Sequence, residues 1–380
     1  MFPLALFVAL ALGGTDAQSR LGTYKVDLAA VSVSGLSSGG CMATQFHVAH
    51  SKSIMGVAVI AGAPYYCAQN SALTATETCM KRPESVAVSY LQQVTRNAQN
   101  ILSIDHTSHM SSARVFLFAG TKDSTVHPGI ISKVQEYYQE FVTAAGSIRT
   151  VLDIPAEHGF PTVSTGGACG SQNSDYINSC GYHAAFELLN HIYGGGLQRP
   201  SDSHQPEGEL INFDQKEYFN FSPPSTYGMD NSGEKLGDKY ARLLGYNEVG
   251  DLNNIIILYP QARSTLSNPL GCWDWQLYHM IPSSCSLPFR WGYTGTAYDA
   301  RTHGRARAPP FRQLPPCALL DWSWRLEGRA GYRDTAPERS PRVRPPRGRE
   351  RTSEQAVAAL PGHILEQAGS VDRCAAGCGV

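Results

Sequence analysis

Gly35-Leu36-Ser37-Ser38-Gly39 is a G-x-S-x-G pentapeptide, and its flanks give the pattern meaning. Before it, Val31 and Val33 alternate through a β-branched run. After it, Cys41-Met42-Ala43-Thr44-Gln45-Phe46 can open a helix. Strand, sharp glycine-flanked turn and helix form the context in which a serine projects as a nucleophile. The glycines are required because a Cβ at either flank would clash with the crowded backbone of the turn. Ser37 is therefore the candidate nucleophile, and a plain Gly/Ser turn between strand and helix is the competing account.

A serine hydroxyl needs a base to take its proton, and the base needs a carboxylate to fix its tautomer. In elbow-type hydrolases these partners follow in the order Ser, Asp or Glu, His. Phe116-Leu117-Phe118-Ala119-Gly120-Thr121-Lys122-Asp123 reads as a buried strand running into a turn, which sets Asp123 just past a strand's C-terminal end. Catalytic groups gather at that edge of a parallel sheet. Ordinary turn-capping is the competing account for Asp123, and Asp153 is a weaker rival inside the next predicted strand. His158, in Glu157-His158-Gly159-Phe160-Pro161-Thr162, follows that strand after a short loop and is the candidate base. His47, His50 and His127 fall on or beside helices, where packing or surface roles are commoner.

The tetrahedral intermediate needs two donors aimed at its oxyanion. The backbone N–H of Ser38 is the first. The second ordinarily follows a strand that precedes the elbow, yet too little chain lies between Ala17 and Val31 to supply one. The best candidate comes late, at Ile255-Ile256-Ile257-Leu258-Tyr259-Pro260-Gln261 followed by Gly271-Cys272-Trp273-Asp274-Trp275. An element in that place implies a circularly permuted sheet order.

The elements that must position these residues alternate. Strands are expected over 54–61, 114–119, 147–154 and 254–259, and helices over 84–104, 130–145, 182–193 and 235–244. Such alternation predicts an α/β fold with a mostly parallel sheet covered on both faces. A chain of 380 residues suffices for one large α/β domain or two smaller ones. Its 31 Lys plus Arg balance 32 Asp plus Glu, so the charge implies no polyanionic partner.

Residues 1–17 carry an apolar core and end in Thr15-Asp16-Ala17, the pattern of a secretory signal peptide cleaved near Ala17. The run is too short to span a bilayer, and no later segment reaches the required length. Ten cysteines suit an oxidising compartment. Cys67 with Cys79 and Cys169 with Cys180 bracket polar, turn-rich loops and read as disulfides. Neither pair has zinc-ligand spacing, so no metal is expected. Beyond about Ala300 the chain turns rich in arginine and proline and contains no lysine, which predicts disorder.

Taken together, Val33 to Gly40, Gly120 to Val126, His158 with Phe160-Pro161-Thr162, Leu258-Tyr259-Pro260-Gln261, Gly271 to Trp275 and Trp291-Gly292-Tyr293-Thr294-Gly295 resemble the secreted polyhydroxybutyrate depolymerases of the circularly permuted, single-domain type. The resemblance covers about residues 22–275 plus the short motif at Trp291. It implies a permuted α/β-hydrolase fold and cleavage of 3-hydroxybutyrate polyesters through an acyl-enzyme, with no cofactor. It further implies Ser37 as nucleophile, Asp123 as orienting acid, His158 as base, and the Ser38 and Cys272 backbone N–H groups as oxyanion donors. Trp273, Trp275 and Trp291 become candidates for contact with the polyester, although buried aromatic packing explains each equally well. The expected partner is an ester substrate, with no nucleic acid or membrane and a monomeric state. Esterases for other small acyl or feruloyl-type esters share these motifs, and a non-catalytic remnant is the alternative from another class.

Three departures from the family stand out. Tyr227 to Gly233 runs almost at once into Glu234 to Tyr240, where relatives place core strands, so strands near 233–234 are expected to be missing. Residues 276–290 read as an insertion between Trp275 and Trp291. The Arg/Pro tail replaces an expected amphipathic helix. These features suggest an aberrantly spliced or wrongly predicted gene product. The domain expectation is a signal peptide at 1–17, an incomplete catalytic domain at 18–296 and a disordered tail at 297–380.

Overall fold

A computed structural model of the chain describes residues 24–213, 238–260, 272–273, 296–299 and 354–360. The expected signal peptide, the junction near 233–234 and the insertion at 276–290 lie outside the described residues.

An eight-stranded sheet forms the frame. The strands are β1 (Val26–Leu36), β2 (Gly56–Ile60), β3 (Arg114–Phe118), β4 (Ile148–Val151), β8 (Glu209–Asn212), β9 (Ile255–Leu258), β10 (Thr296–Asp299) and β11 (Glu354–Leu360). Their order across the sheet is β4-β3-β2-β1-β11-β9-β10-β8. All pairs from β4 through β9 are parallel, and the β9–β10 and β10–β8 pairs are antiparallel. A smaller sheet orders β5 (Phe160–Thr162), β7 (Ile177–Ser179) and β6 (Gly167–Ala168).

The helices are α1 (Ser38–Ala49), α2 (Val88–Asn100), α3 (Gly129–Gln139), α4 (Ala184–Ile192), α5 (Lys239–Leu243) and α6 (Tyr246–Asn253). Parallel strands covered by helices bury both faces, which is why β2 reads Gly-Val-Ala-Val-Ile with every residue buried. Val57 to Ile60, Val115 to Leu117, Ile130, Val134, Leu188 and Ile192 join one contiguous apolar core.

Sequence periodicity overestimates the element ends. The helix expected over 130–145 stops at Gln139, because the backbone N–H groups of Thr143 and Ala144 turn to the carbonyl of Ser111. The strand expected over 147–154 keeps only Ile148–Val151, which leaves Asp153 exposed beyond its end.

One expectation needs correction. Within the tail expected to be disordered, residues 354–360 form β11, which pairs in parallel with β1 on one side and β9 on the other. Leu360 stands opposite Gly35, and Val357 opposite both Ser32 and Ile257. Between two central strands every backbone N–H and C=O needs a partner, and an extended segment supplies them on both edges. Glu354-Gln355-Ala356-Val357-Ala358-Ala359-Leu360 is a short run of mainly small and apolar residues. The surrounding arginine and proline mask it in any average over the tail. Despite the strands expected to be missing, the described sheet is therefore continuous from β1 to β9. β10 straddles the expected boundary at 296.

Both expected disulfides are present, Cys67–Cys79 and Cys169–Cys180. Replacing Cys67 and Cys79 together by alanine is expected to lower unfolding free energy by about 3 kcal/mol, from the entropy of a loop of this length. Guanidinium unfolding monitored by fluorescence measures the shift.

His47, expected to pack or lie at the surface, is fully buried on α1, with Nδ1 3.0 Å from the Tyr138 hydroxyl on α3. Burial lowers its pKa from 6.5 to about 3. Between those two values the unfolded chain binds a proton that the folded chain does not, so stability rises with pH across that window. Acidification below pH 6.5 should then remove up to about 1.4 kcal/mol per pH unit from this residue. Denaturant titrations from pH 7 to pH 4 should show that slope, and His47→Gln should flatten it.

Candidate active site

The turn after β1 is built by close approach. A Cβ on Gly35 would sit 2.1 Å from the carbonyl oxygen of Gly39, so only glycine fits. Ser37 stands at the N-cap of α1 with φ 58° and ψ −123°, a positive-φ conformation that costs a serine of order 1–3 kcal/mol. The surrounding backbone holds it there: the Ser37 N–H donates to the Ile60 carbonyl (2.9 Å), and the Cys41 N–H donates to the Ser37 carbonyl (2.9 Å).

The same stitching continues along the sheet's C-terminal edge. The Ala61 N–H donates to the Phe118 carbonyl (2.8 Å), and the Ala119 N–H to the Val151 carbonyl (3.2 Å). Four consecutive strand ends are thereby tied side by side. Further out, the Thr121 N–H donates to the Ile154 carbonyl and the Lys122 N–H to that of Ala156. Gly120 lies so close to Ala156 that a Cβ there would stand 2.1 Å from its carbonyl oxygen.

From this edge come Ser37 after β1, Asp123 after β3 and His158 after β4, and all three are buried, at 7%, 8% and 2% exposure. His158 Nδ1 lies 2.8 Å from Asp123 Oδ2. With Asp123 ionised the carboxylate only accepts, so the bond fixes the imidazole proton on Nδ1 and leaves Nε2 as the basic nitrogen. The other oxygen, Oδ1, accepts the N–H groups of Thr125 (3.0 Å) and Val126 (2.7 Å). Turn-capping and histidine contact thus coexist, one on each oxygen, and the cap orients the oxygen that meets the ring. Tyr176 sets its ring edge-on to His158, with centroids 5.6 Å apart.

Ser38 opens α1, where backbone N–H groups have no intrahelical acceptor, and it is almost fully buried. Cys272 and Trp273 are buried as well, at 2% and 4% exposure, and Trp273 belongs to the apolar core. They follow β9, which β11 separates from β1. Trp275 and Trp291 lie outside the described residues. Among the described residues no group of three or more His, Cys, Asp or Glu could hold a metal ion, and no helix is long and apolar enough to cross a membrane.

Two participants are not evident from the sequence. Glu157 ties the loops of Asp123 and His158 together, and buried Asn178 donates from Nδ2 to the Glu157 carbonyl (2.7 Å). The adjacency of Glu157 to His158 is a weak signal, since a glutamate in a loop ordinarily faces solvent.

A parallel sheet covered by helices, with a strained serine in its central turn and an Asp–His pair at the same edge, defines an α/β-hydrolase-like protein. No protein-family model matches the chain. It is 33% identical over 316 residues to a poly(3-hydroxybutyrate) depolymerase of Delftia acidovorans, covering 77% of this chain and 60% of that one. The chain thus spans less than two thirds of the length of that relative. With a polyhydroxybutyrate depolymerase of Talaromyces funiculosus it shares 30% identity over 306 residues, 70% of this chain and 88% of the relative. The crystal structure of a PHB depolymerase from Penicillium funiculosum superimposes with TM-score 0.60 at 29% identity, over 68% of this chain and 90% of that chain. A serine-to-alanine PHB depolymerase complexed with an R3HB trimer gives TM-score 0.61 at 28% identity, with the same coverage. The chain belongs to the polyhydroxybutyrate depolymerase family.

Proposed function

We propose that the chain is a secreted serine esterase that hydrolyses poly(3-hydroxybutyrate)-like polyesters or 3-hydroxyacyl oligomers. The observation that carries this reading is the 2.8 Å Asp123–His158 bond at the sheet edge where Ser37 is held at positive φ. Family membership supplies the substrate class, since a relative binds an R3HB trimer. The disulfides support an oxidising compartment, and with the sequence of residues 1–17 they favour secretion.

In this mechanism Ser37 Oγ attacks the ester carbonyl carbon as its proton passes to His158 Nε2. Asp123 stabilises the imidazolium through Nδ1. The backbone N–H groups of Ser38 and Cys272 receive the oxyanion. Collapse breaks the ester C–O bond, and His158 returns its proton to the departing alkoxide, which leaves as the hydroxyl end of the polymer. His158 then takes a proton from water, whose oxygen attacks acyl-Ser37. Collapse of the second intermediate restores the serine and releases a 3-hydroxy acid. No cofactor enters this scheme.

Sheet order supports a circularly permuted hydrolase. β1 to β4 run outward from the serine strand in chain order, whereas the strands on its other flank, β9 and β11, come late in the chain. The test is a fluorophosphonate probe on the full chain, followed by assay of 3-hydroxybutyrate release. Labelling at Ser37 with release supports the proposal. Labelling with cleavage of feruloyl esters alone reassigns the substrate, and absence of labelling in folded protein removes the enzyme.

A further inference from the structure

The side-chain oxygen Oε1 of Glu157 accepts three hydrogen bonds: from the Ser124 N–H (2.7 Å), the Ser124 hydroxyl (2.9 Å) and the His158 N–H (2.9 Å). Ser124 directly follows Asp123, and Glu157 directly precedes His158. One oxygen therefore joins the loop carrying the carboxylate to the loop carrying the imidazole. Acceptors bearing charge make shorter and stronger bonds than neutral ones, and three donors converging on one atom leave it little freedom.

The peptide groups of Glu157 are anchored too. Its N–H donates to the Cys169 carbonyl (2.8 Å), and its own carbonyl accepts from Asn178 Nδ2. Cys169 is bonded to Cys180, so both anchors belong to one disulfide-closed loop. Asn173 Nδ2 donates to Asn178 Oδ1 (2.6 Å) and orients the Asn178 amide. Gly159, next after His158, lies against that amide, and a Cβ there would stand 2.8 Å from Asn178 Nδ2. Glu157 is thus fixed from the outside by the loop and reaches inward to both partners of the Asp–His pair.

We propose that Glu157 is a positioning residue: it sets the separation of Asp123 and His158, and hence the aim of the imidazole at Ser37. This rests on the esterase reading above. Productive geometry must hold within about 0.5 Å, and a misplacement of about 1 Å costs on the order of a hundredfold in rate. Removing the acceptor should therefore act on turnover rather than on substrate binding.

The test uses the full chain with a soluble short-chain 3-hydroxybutyrate ester. Glu157→Ala should lower kcat about tenfold or more, leave KM within about twofold, and slow fluorophosphonate labelling of Ser37 in proportion. Glu157→Gln keeps an acceptor oxygen and should stay within about threefold of wild type. Ser124→Ala, which removes one donor of three at a surface position, should lower kcat by about two- to threefold and serves if Glu157→Ala does not fold. Unchanged kcat in Glu157→Ala or Ser124→Ala overturns the proposal, as does a Gln variant as slow as the Ala variant. A rise in KM that matches the fall in kcat/KM also overturns it. A wild-type chain that is folded but unlabelled sinks the esterase reading itself, whereas labelled wild type beside an equally fast Glu157→Ala sinks the positioning role alone.

Discussion

Ser37→Ala is expected to reduce ester hydrolysis by about 10⁴-fold or more and to abolish fluorophosphonate labelling. The nucleophile is the one group whose bond to the substrate no neighbour can replace. Residual turnover would come from donors and binding alone. The side chain is small, and alanine removes one oxygen from a buried position. Stability should stay close to that of wild type, because alanine keeps the Cβ and meets the same positive-φ strain. Parallel thermal melts of both proteins, with mass spectrometry of the labelled peptide, separate lost chemistry from lost fold. A variant that hydrolyses as fast as wild type would remove Ser37 from the reaction.

Val357→Pro is expected to prevent folding of the whole sheet. Val357 is level with Ser32 on one side and Ile257 on the other, so its backbone serves the centre of the ladder. Proline deletes the N–H and sets its ring where a neighbouring strand must pair, which is why it is confined to sheet edges and bulges. Net stability is typically only about 5–15 kcal/mol, and this site lies next to the strand that ends in the elbow. Folded yield should fall about tenfold or more, read by circular dichroism and by hydrogen exchange of the β1 amides. Val357→Thr keeps both the N–H and the branched side chain, and should fold. Wild-type exchange at 354–360 as fast as in an unfolded peptide would show that the segment does not occupy the sheet.

The elbow is legible in the sequence because its cause is local. Gly35 and Gly39 sit four residues apart, and it is the approach of one to the other's carbonyl that demands glycine. Asp123 and His158 are legible by a second rule, that reactive groups follow the ends of parallel strands: β3 stands out by its apolar run, and β4 by its β-branched Ile148, Thr150 and Val151. Glu157 is hidden because its partners, Ser124 and the Cys169–Cys180 loop, are brought to it only by tertiary folding. β11 is hidden for a stronger reason. Seven residues inside an arginine- and proline-rich stretch carry little signal of their own, and the choice of β1 and β9 as partners is entirely non-local. The end of α3 is hidden too, because a carbonyl distant in sequence, that of Ser111, takes the N–H groups of Thr143 and Ala144 that would have extended the helix.

The pairing of Val33 with Ala358 also has a consequence for synthesis, since these residues stand 325 positions apart in the chain. At roughly 5–20 residues per second a ribosome needs on the order of 15–65 s to make that interval. Throughout that delay the flank of the serine strand has no permanent neighbour, and an open strand flank invites other chains to add to it. The nascent protein is thus exposed to self-association before its last partner emerges. Slower elongation or a shortage of holding chaperones should raise the aggregated fraction, and faster completion should lower it.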